Sequence, residues 1–182
     1  MDNRMLWNER YTKGLAALEI PDPFFVKMYE EHISQVFPNG GTALDLAAGT
    51  GRHTLYLAAA NWQVSAVDIS DVAMERLAEK ANGGLVQTTC ADLAEYTFPV
   101  AAFDLIVLYY HFDRALFGAV SAALKPGGLL ISKQAVGKPA SPHALQEYEL
   151  LQLTEGLEQI SYAERPVKER GVAEYLGRKP FK

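Results

Sequence analysis

The chain reads as a doubly wound α/β fold, and three features carry that reading. Short apolar strands alternate with helix-length segments, the pattern of a parallel sheet covered by helices on both faces. A glycine turn, Ala47-Ala48-Gly49-Thr50-Gly51, and acids at Asp45, Asp68 and Asp92 mark successive strand ends, where such sheets bind their ligands. The last two strand-like segments are separated only by Val167-Lys168-Glu169-Arg170. So short a connection joins antiparallel strands and cannot hold a crossover helix.

Up to about Phe37 the sequence predicts a loop containing PDPFF and then an amphipathic helix, because Val26, Tyr29, Ile33 and Val36/Phe37 recur at helical spacing. After the PNGG turn, TALDL is a short apolar strand that runs into the glycine turn, and HTLYLAAAN has the small and aliphatic residues of a buried helix. VSAVDIS is a β-branched run suited to a strand buried on both faces. Ser70 or Asp71 then caps a helix with Met74, Leu77, Ala78 and Ala81 on one face. LVQTTCADL and FDLIVLYY supply the third and fourth strands. RALFGAVSAALKPGG groups Leu116, Val120, Ala123 and Leu124 on a helix predicted to stop at Pro126-Gly127-Gly128, and GLLISKQA is the fifth strand. HALQEYELLQLTEG reads as a helix, followed by the strand pair LEQISYAERP and GVAEYLGRKP.

The chain has 182 residues with 17 Lys plus Arg against 22 Asp plus Glu, a net charge of −5. The length suits one domain, divided into a segment 1–37 that could form a lid and a main body 38–182. The acidic balance argues against a nucleic-acid binder, which relies on an excess of Lys and Arg. Cys90 is the only cysteine, so an intrachain disulfide and a multi-cysteine zinc site are excluded, no metal is expected, and a reducing compartment is the natural setting. The start is charged and lacks an apolar h-region, and no run approaches a bilayer span. The expectation is a cytoplasmic protein without membrane attachment, monomeric or homodimeric.

The turn points to nucleoside recognition. Gly49 and Gly51 allow close backbone approach, and the helix that follows offers N–H groups to an anion. Asp68 could accept hydrogen bonds from both hydroxyls of a ribose, and Asp92 from the amino group of adenine. The dinucleotide fingerprint fails here, at two of its three glycines when aligned on Ala47 and at one when aligned on Gly49, and the GxxxxGK[ST] loop is absent.

These motifs resemble the class I S-adenosylmethionine-dependent methyltransferases. LDLAAGTGRHT is similar to the first motif of that family, VDIS to its acidic loop, CADL to its adenine-side motif, and FDLIVLYY and LKPGGLLI to its fourth and fifth strands. The AAGTGRHT variant and the WNERY opening look closest to small tellurite-resistance-type enzymes. Ala47 departs from the pattern, because the family usually has glycine there. The resemblance implies a seven-stranded Rossmann-like sheet, S-adenosylmethionine as cofactor and S-adenosylhomocysteine as product. It assigns Asp45, Ala47, Ala48, Gly49, Thr50 and Gly51 to the methionine portion, Asp68 to the ribose, and Cys90, Ala91, Asp92 and Leu93 to the adenine pocket. Ile69 stacks beside the adenine in this assignment, while Leu108 and Tyr109 lie near the sulfonium.

Methyl transfer is an in-line displacement, governed by alignment and desolvation. The acceptor side is placed on Tyr109-Tyr110-His111-Phe112-Asp113-Arg114: Tyr109 lines the site, His111 could take a proton and Arg114 could hold an anionic acceptor bidentately. The plainer alternative is that Asp113 caps the next helix, Arg114 is solvated and His111 bonds the backbone. Trp7, Arg10 and Tyr11 have two readings too: they either form a lid over the cofactor or pack the N-terminal segment. Arg52 and His53 either reach an anion or pack, and Cys90 is expected to be buried. Function is thus expected to be methyl transfer to a small-molecule nucleophile, anionic or soft, through an O, S, Se, Te or C atom. A non-catalytic cofactor binder and an NAD(P)-dependent oxidoreductase are the alternatives.

Overall fold

The computed structural model describes residues 2–81, 83–137, 144–167 and 170–182. Its strands are β1 (Thr42–Leu46), β2 (Gln63–Asp68), β3 (Val86–Cys90), β4 (Phe103–Tyr109), β5 (Leu124–Val136), β6 (Glu158–Val167) and β7 (Arg170–Arg178). They form a seven-stranded sheet of order β3-β2-β1-β4-β5-β7-β6. The chain divides into two compact units, Met1–Thr97 and Phe98–Lys182.

In the first unit β1, β2 and β3 pair in parallel, with Asp45 opposite Ala66 and Asp68 opposite Cys90. Helices α4 (Arg52–Ala59) and α5 (Asp71–Lys80) make the crossovers. Ser70 caps α5, its hydroxyl accepting from Ala73 N–H at 3.1 Å, so of the two candidate caps it is the serine that serves. The buried face of α5 carries Ala73, Met74 and Leu77; Ala78 is exposed and Ala81 follows the helix, which shifts the expected stripe.

The N-terminal region holds more helix than its periodicity suggested. Asn3–Thr12 forms α1, where a loop was expected, with the Asp2 side chain accepting from Arg4 N–H at its start. Few apolar residues lie on it, so the periodic signal is weak, and the polar cap at Asp2 is its main local cue. Asp22 caps α2 (Pro23–Met28), with Pro23 in the first turn. The chain continues through a π-helical turn, Tyr29–Ile33, into α3 (Ser34–Val36). Phe25, Tyr29 and Tyr56 pack edge to face or stacked with centroids 5.2–6.3 Å apart, and the Trp62 indole N–H donates to the Tyr29 hydroxyl at 3.1 Å.

In the second unit β4 and β5 are parallel while β5, β7 and β6 are antiparallel, which is the expected terminal hairpin. Helix α6 (Leu116–Ala123) ends three residues before the Pro126 stop, and β5 already begins at Leu124. The predicted helix His143–Gly156 shrinks to α7 (Glu149–Leu153) among the described residues. His143 lies outside them, and Leu145 forms an isolated parallel bridge to Val136 instead. No helix among the described residues is long and apolar enough to cross a membrane.

Candidate functional site

In the first unit the turn after β1 is built from left-handed backbone. Ala47, Gly49 and Gly51 have φ of 53°, 56° and 85°. A Cβ on Gly51 would sit 2.2 Å from Cδ1 of Leu77, and one on Gly49 would sit 2.7 Å from the Tyr11 hydroxyl. Glycine is therefore required at Gly51 by both conformation and space. Ala47 takes the same hand of backbone with a side chain, which costs an L-residue roughly 1–2 kcal/mol.

Asp68 at the end of β2 fastens this turn. One carboxylate oxygen accepts from Gly49 N–H and the other from Ser70 N–H, each at 2.9 Å. Asp45, at the end of β1, is fully enclosed and accepts from the Thr54 hydroxyl at 2.6 Å. Burial pushes its carboxyl up to about 7, against the bond from Thr54.

Helix α1 lies over these groups. The Ser70 hydroxyl donates to Asn8 Oδ1 and Asn8 Nδ2 donates to Asp71 Oδ1, both at 2.6 Å. Arg76 donates to the Tyr11 carbonyl at 2.7 Å. Tyr11 is buried against Ala66, Ala73, Met74 and Leu77, with Trp7 and Ala48 on the rim of that cluster. Loss of water and the charge of Asp68 raise the Tyr11 phenol well above its ordinary range. Trp7 stands 6.0 Å from Tyr11, and Arg10 covers the Trp7 ring at 5.0 Å. Thr50 is buried. Asn8 was not singled out from the sequence, although it sits inside WNERY; its role depends on partners more than sixty positions away.

The end of β3 is more open. Cys90 is exposed, which corrects the expectation of a buried cysteine, because β3 is the edge strand and Cys90 faces outward. Its thiol lies 3.4 Å from the Ile69 carbonyl, and partial burial raises it above the ordinary thiol range. Ala91 N–H donates to the Asp68 carbonyl at 2.9 Å, Asp92 accepts from Ala94 N–H at 3.0 Å, and Leu93 is buried. Asp45, the turn, Asp68, Ile69 and the CADL segment are thus gathered at the carboxyl ends of three parallel strands. His53 is buried instead, accepting from Asp22 N–H at 3.2 Å and tilted against Phe25 at 4.5 Å, so it packs.

In the second unit Tyr109 is the buried last residue of β4, and His111 is half-buried on the loop beyond. Leu108 is fully buried, and its carbonyl accepts from Ser132 Oγ at 2.9 Å and Gln134 Nε2 at 3.0 Å. Its side chain is packed in the core of the unit. Asp113 accepts from Ala115 N–H at 2.9 Å, closing a turn just ahead of α6, whose cap position, Ala115, has no side-chain bond. Arg114 is exposed, but its fork is already occupied: Nε and Nη2 donate to the two oxygens of Glu149 at 2.5 and 2.9 Å, and the guanidinium covers Phe112 at 4.5 Å. An anionic acceptor would have to displace Glu149. That pairing lowers the Glu149 carboxyl below its ordinary value. Nothing local in the sequence signals a partner 35 positions away.

Residues 43–128 match a family model described as a methyltransferase domain. No curated protein matches the chain significantly. Among solved structures, the N-methyltransferase NodS from Bradyrhizobium japonicum WM9 in complex with S-adenosylhomocysteine is similar over 96% of this chain and 98% of its own, with 18% identity and a TM-score of 0.72. The 1,6-didemethyltoxoflavin-N1-methyltransferase of Burkholderia thailandensis, with S-adenosylhomocysteine bound, is similar over 97% of this chain and 87% of its own, at 18% identity and TM-score 0.73. TehB from Haemophilus influenzae is similar over 95% of this chain and 67% of its own, at 19% identity and TM-score 0.70. The glycine turn, Asp45, Asp68 and Asp92 all lie within the matched segment, and the chain has the fold of the S-adenosylmethionine-dependent methyltransferases.

Proposed function

We propose that the protein transfers a methyl group from S-adenosylmethionine to a small-molecule nucleophile. The observation that carries this is the coupling of Asp68 to the glycine turn: an acceptor-only carboxylate, suited to a ribose diol, is held by Gly49 and Ser70 amides beside a turn whose glycines admit close approach. When bound, the cofactor supplies an electrophilic methyl group on a sulfonium.

In this reading Asp68 orients the ribose, and the turn from Ala47 to Gly51 with Asp45 shapes the methionine end. Ile69, Cys90, Ala91, Asp92 and Leu93 border the adenine. Residues 1–37 carry the lid and 38–182 the catalytic body. Trp7 and Tyr11 on α1 exclude water, which strengthens every electrostatic interaction beneath them. Tyr109 borders the reacting atoms, and His111 removes a proton from acceptors that arrive protonated. The net charge of −5 favours a small acceptor over a nucleic acid.

Calorimetry with S-adenosylhomocysteine tests the proposal. The wild type should bind, and Asp68→Ala should weaken binding by roughly 100-fold, two hydrogen bonds to a charged group being removed. If neither S-adenosylmethionine nor S-adenosylhomocysteine binds the wild type, the reading fails. If both bind but no acceptor yields S-adenosylhomocysteine, the protein is a non-catalytic binder.

A further inference from the structure

Resting on the methyltransferase reading, we propose that Tyr110 and Tyr148 form a stacking rim that selects a methyl acceptor carried on a flat aromatic ring. Both tyrosines have left-handed backbone, with φ of 54° and 60°. This conformation is an outlier for a bulky side chain and disfavoured for any L-residue. Both are also exposed, Tyr110 at 51% and Tyr148 at 61%. A turn that needed only positive φ would be better served by glycine, and a ring that needed only a core would be buried.

The surrounding bonds hold the strained residues in place. Tyr110 N–H donates to the Lys133 carbonyl at 2.8 Å, and Tyr148 N–H donates to Glu164 Oε1 at 2.7 Å. The Arg114–Glu149 pair ties the loop that follows Tyr110 to the residue that follows Tyr148. Tyr110 leaves the carboxyl end of β4, and the segment leading to Tyr148 is pinned beside the end of β5 by Leu145, which bonds Ala135 and Gly137. Two exposed tyrosines thus stand on segments at the carboxyl ends of β4 and β5, where such folds bind ligands, on backbone fixed before any ligand arrives. Flat rings gain from such faces by offset or edge contacts that a saturated ring of the same size lacks, and the preformed backbone lowers the ordering cost of binding.

The test uses β-naphthol and its saturated counterpart decahydro-β-naphthol, which carry the same hydroxyl, titrated into the full chain saturated with S-adenosylhomocysteine. The wild type should prefer β-naphthol. Tyr110→Gly and Tyr148→Gly should each raise the melting temperature by relieving backbone strain and weaken β-naphthol by roughly threefold to tenfold. Tyr110→Phe and Tyr148→Phe should keep wild-type affinity for it, and S-adenosylhomocysteine binding should be unchanged in all four. Equal affinity for the two alcohols, no binding of β-naphthol up to its solubility limit, or glycine variants that bind it as the wild type does would each overturn the rim. If the wild type fails to bind S-adenosylhomocysteine, the methyltransferase reading falls instead, and the same β-naphthol titration without it still decides the rim.

Discussion

The two units fix their functional groups by different means. In residues 1–97 the acid at the end of β2 is held by main-chain amides, Gly49 and Ser70, and the turn it fastens is shaped by left-handed backbone. In residues 98–182 the loop beyond β4 is held by an exposed side-chain pair, Arg114 with Glu149. Amide-fixed geometry survives most side-chain changes, which suits a cofactor that stays the same. Side-chain clamps can be re-cut by single substitutions, which suits an acceptor side that varies between enzymes on one fold.

The largest effect that could break this contrast is expected at Gly51. Gly51→Ala puts a Cβ into the buried Leu77 side chain at 2.2 Å and forces a non-glycine residue to φ 85°. Overpacking and the left-handed backbone together should destabilise the fold by about 3 kcal/mol, read as a lower urea midpoint at unchanged slope. A wild-type midpoint would mean that the turn is looser than its geometry implies.

Asp45 gives the next effect, as a pH dependence. Its carboxyl is raised from an ordinary 3.8 to about 7 by burial, so between those values the native state holds a proton that the unfolded chain has released. Stability from this group is fully present below about 3.8 and is lost as the pH rises through about 7. Asp45→Asn cannot ionise, so unfolding midpoints measured across that window should fall less steeply than in the wild type. Parallel curves for the two proteins would show that Asp45 ionises in the folded state as it does in water.

Much of the first unit was legible in the sequence because its signals are local. The glycine turn, the acids ending β1 and β2 and the serine cap of α5 each act within a few residues of themselves. What escaped depends on distance: Asn8 meets Ser70 and Asp71 across more than sixty positions, and the edge position of β3 that exposes Cys90 follows from strand order alone. In the second unit the strands and hairpin could be read from apolar runs and a short connection. The pairing of Arg114 with Glu149 could not, since any exposed carboxylate would satisfy an arginine on a loop. Helix α7 came out short because Tyr148, at φ 60°, breaks the helical path just before Glu149, and a tyrosine gives no warning of left-handed backbone.

A smaller, stabilising change sharpens the picture of the turn. Ala47 at φ 53° carries a methyl group where the resembled family has glycine. Ala47→Gly should relieve that strain and raise stability by about 1 kcal/mol after the added freedom of the unfolded chain is counted, read as a higher melting temperature. Cofactor affinity should stay unchanged, because the Asp68 bonds to Gly49 and Ser70 do not involve the Ala47 side chain. A fall in affinity would show that the methyl group itself touches the cofactor.

Arg114→Lys should move stability least and still separate the units. Lysine keeps the charge but loses the planar fork that meets both Glu149 oxygens, and an exposed pair adds little to folding, so the unfolding midpoint should barely change. The loop beyond β4 would no longer be held in one position, and the acceptor KM should rise while S-adenosylhomocysteine affinity, which the proposed function assigns to the amide-held turn, stays put. Glu149→Gln should act in the same direction, since it removes the charge at the opposite end of the clamp. An unchanged KM in both variants would reduce the pair to a surface contact. A matching loss of cofactor affinity would show instead that the two means of fixing the site are not independent, because a change confined to a side-chain clamp would then have reached groups held by backbone.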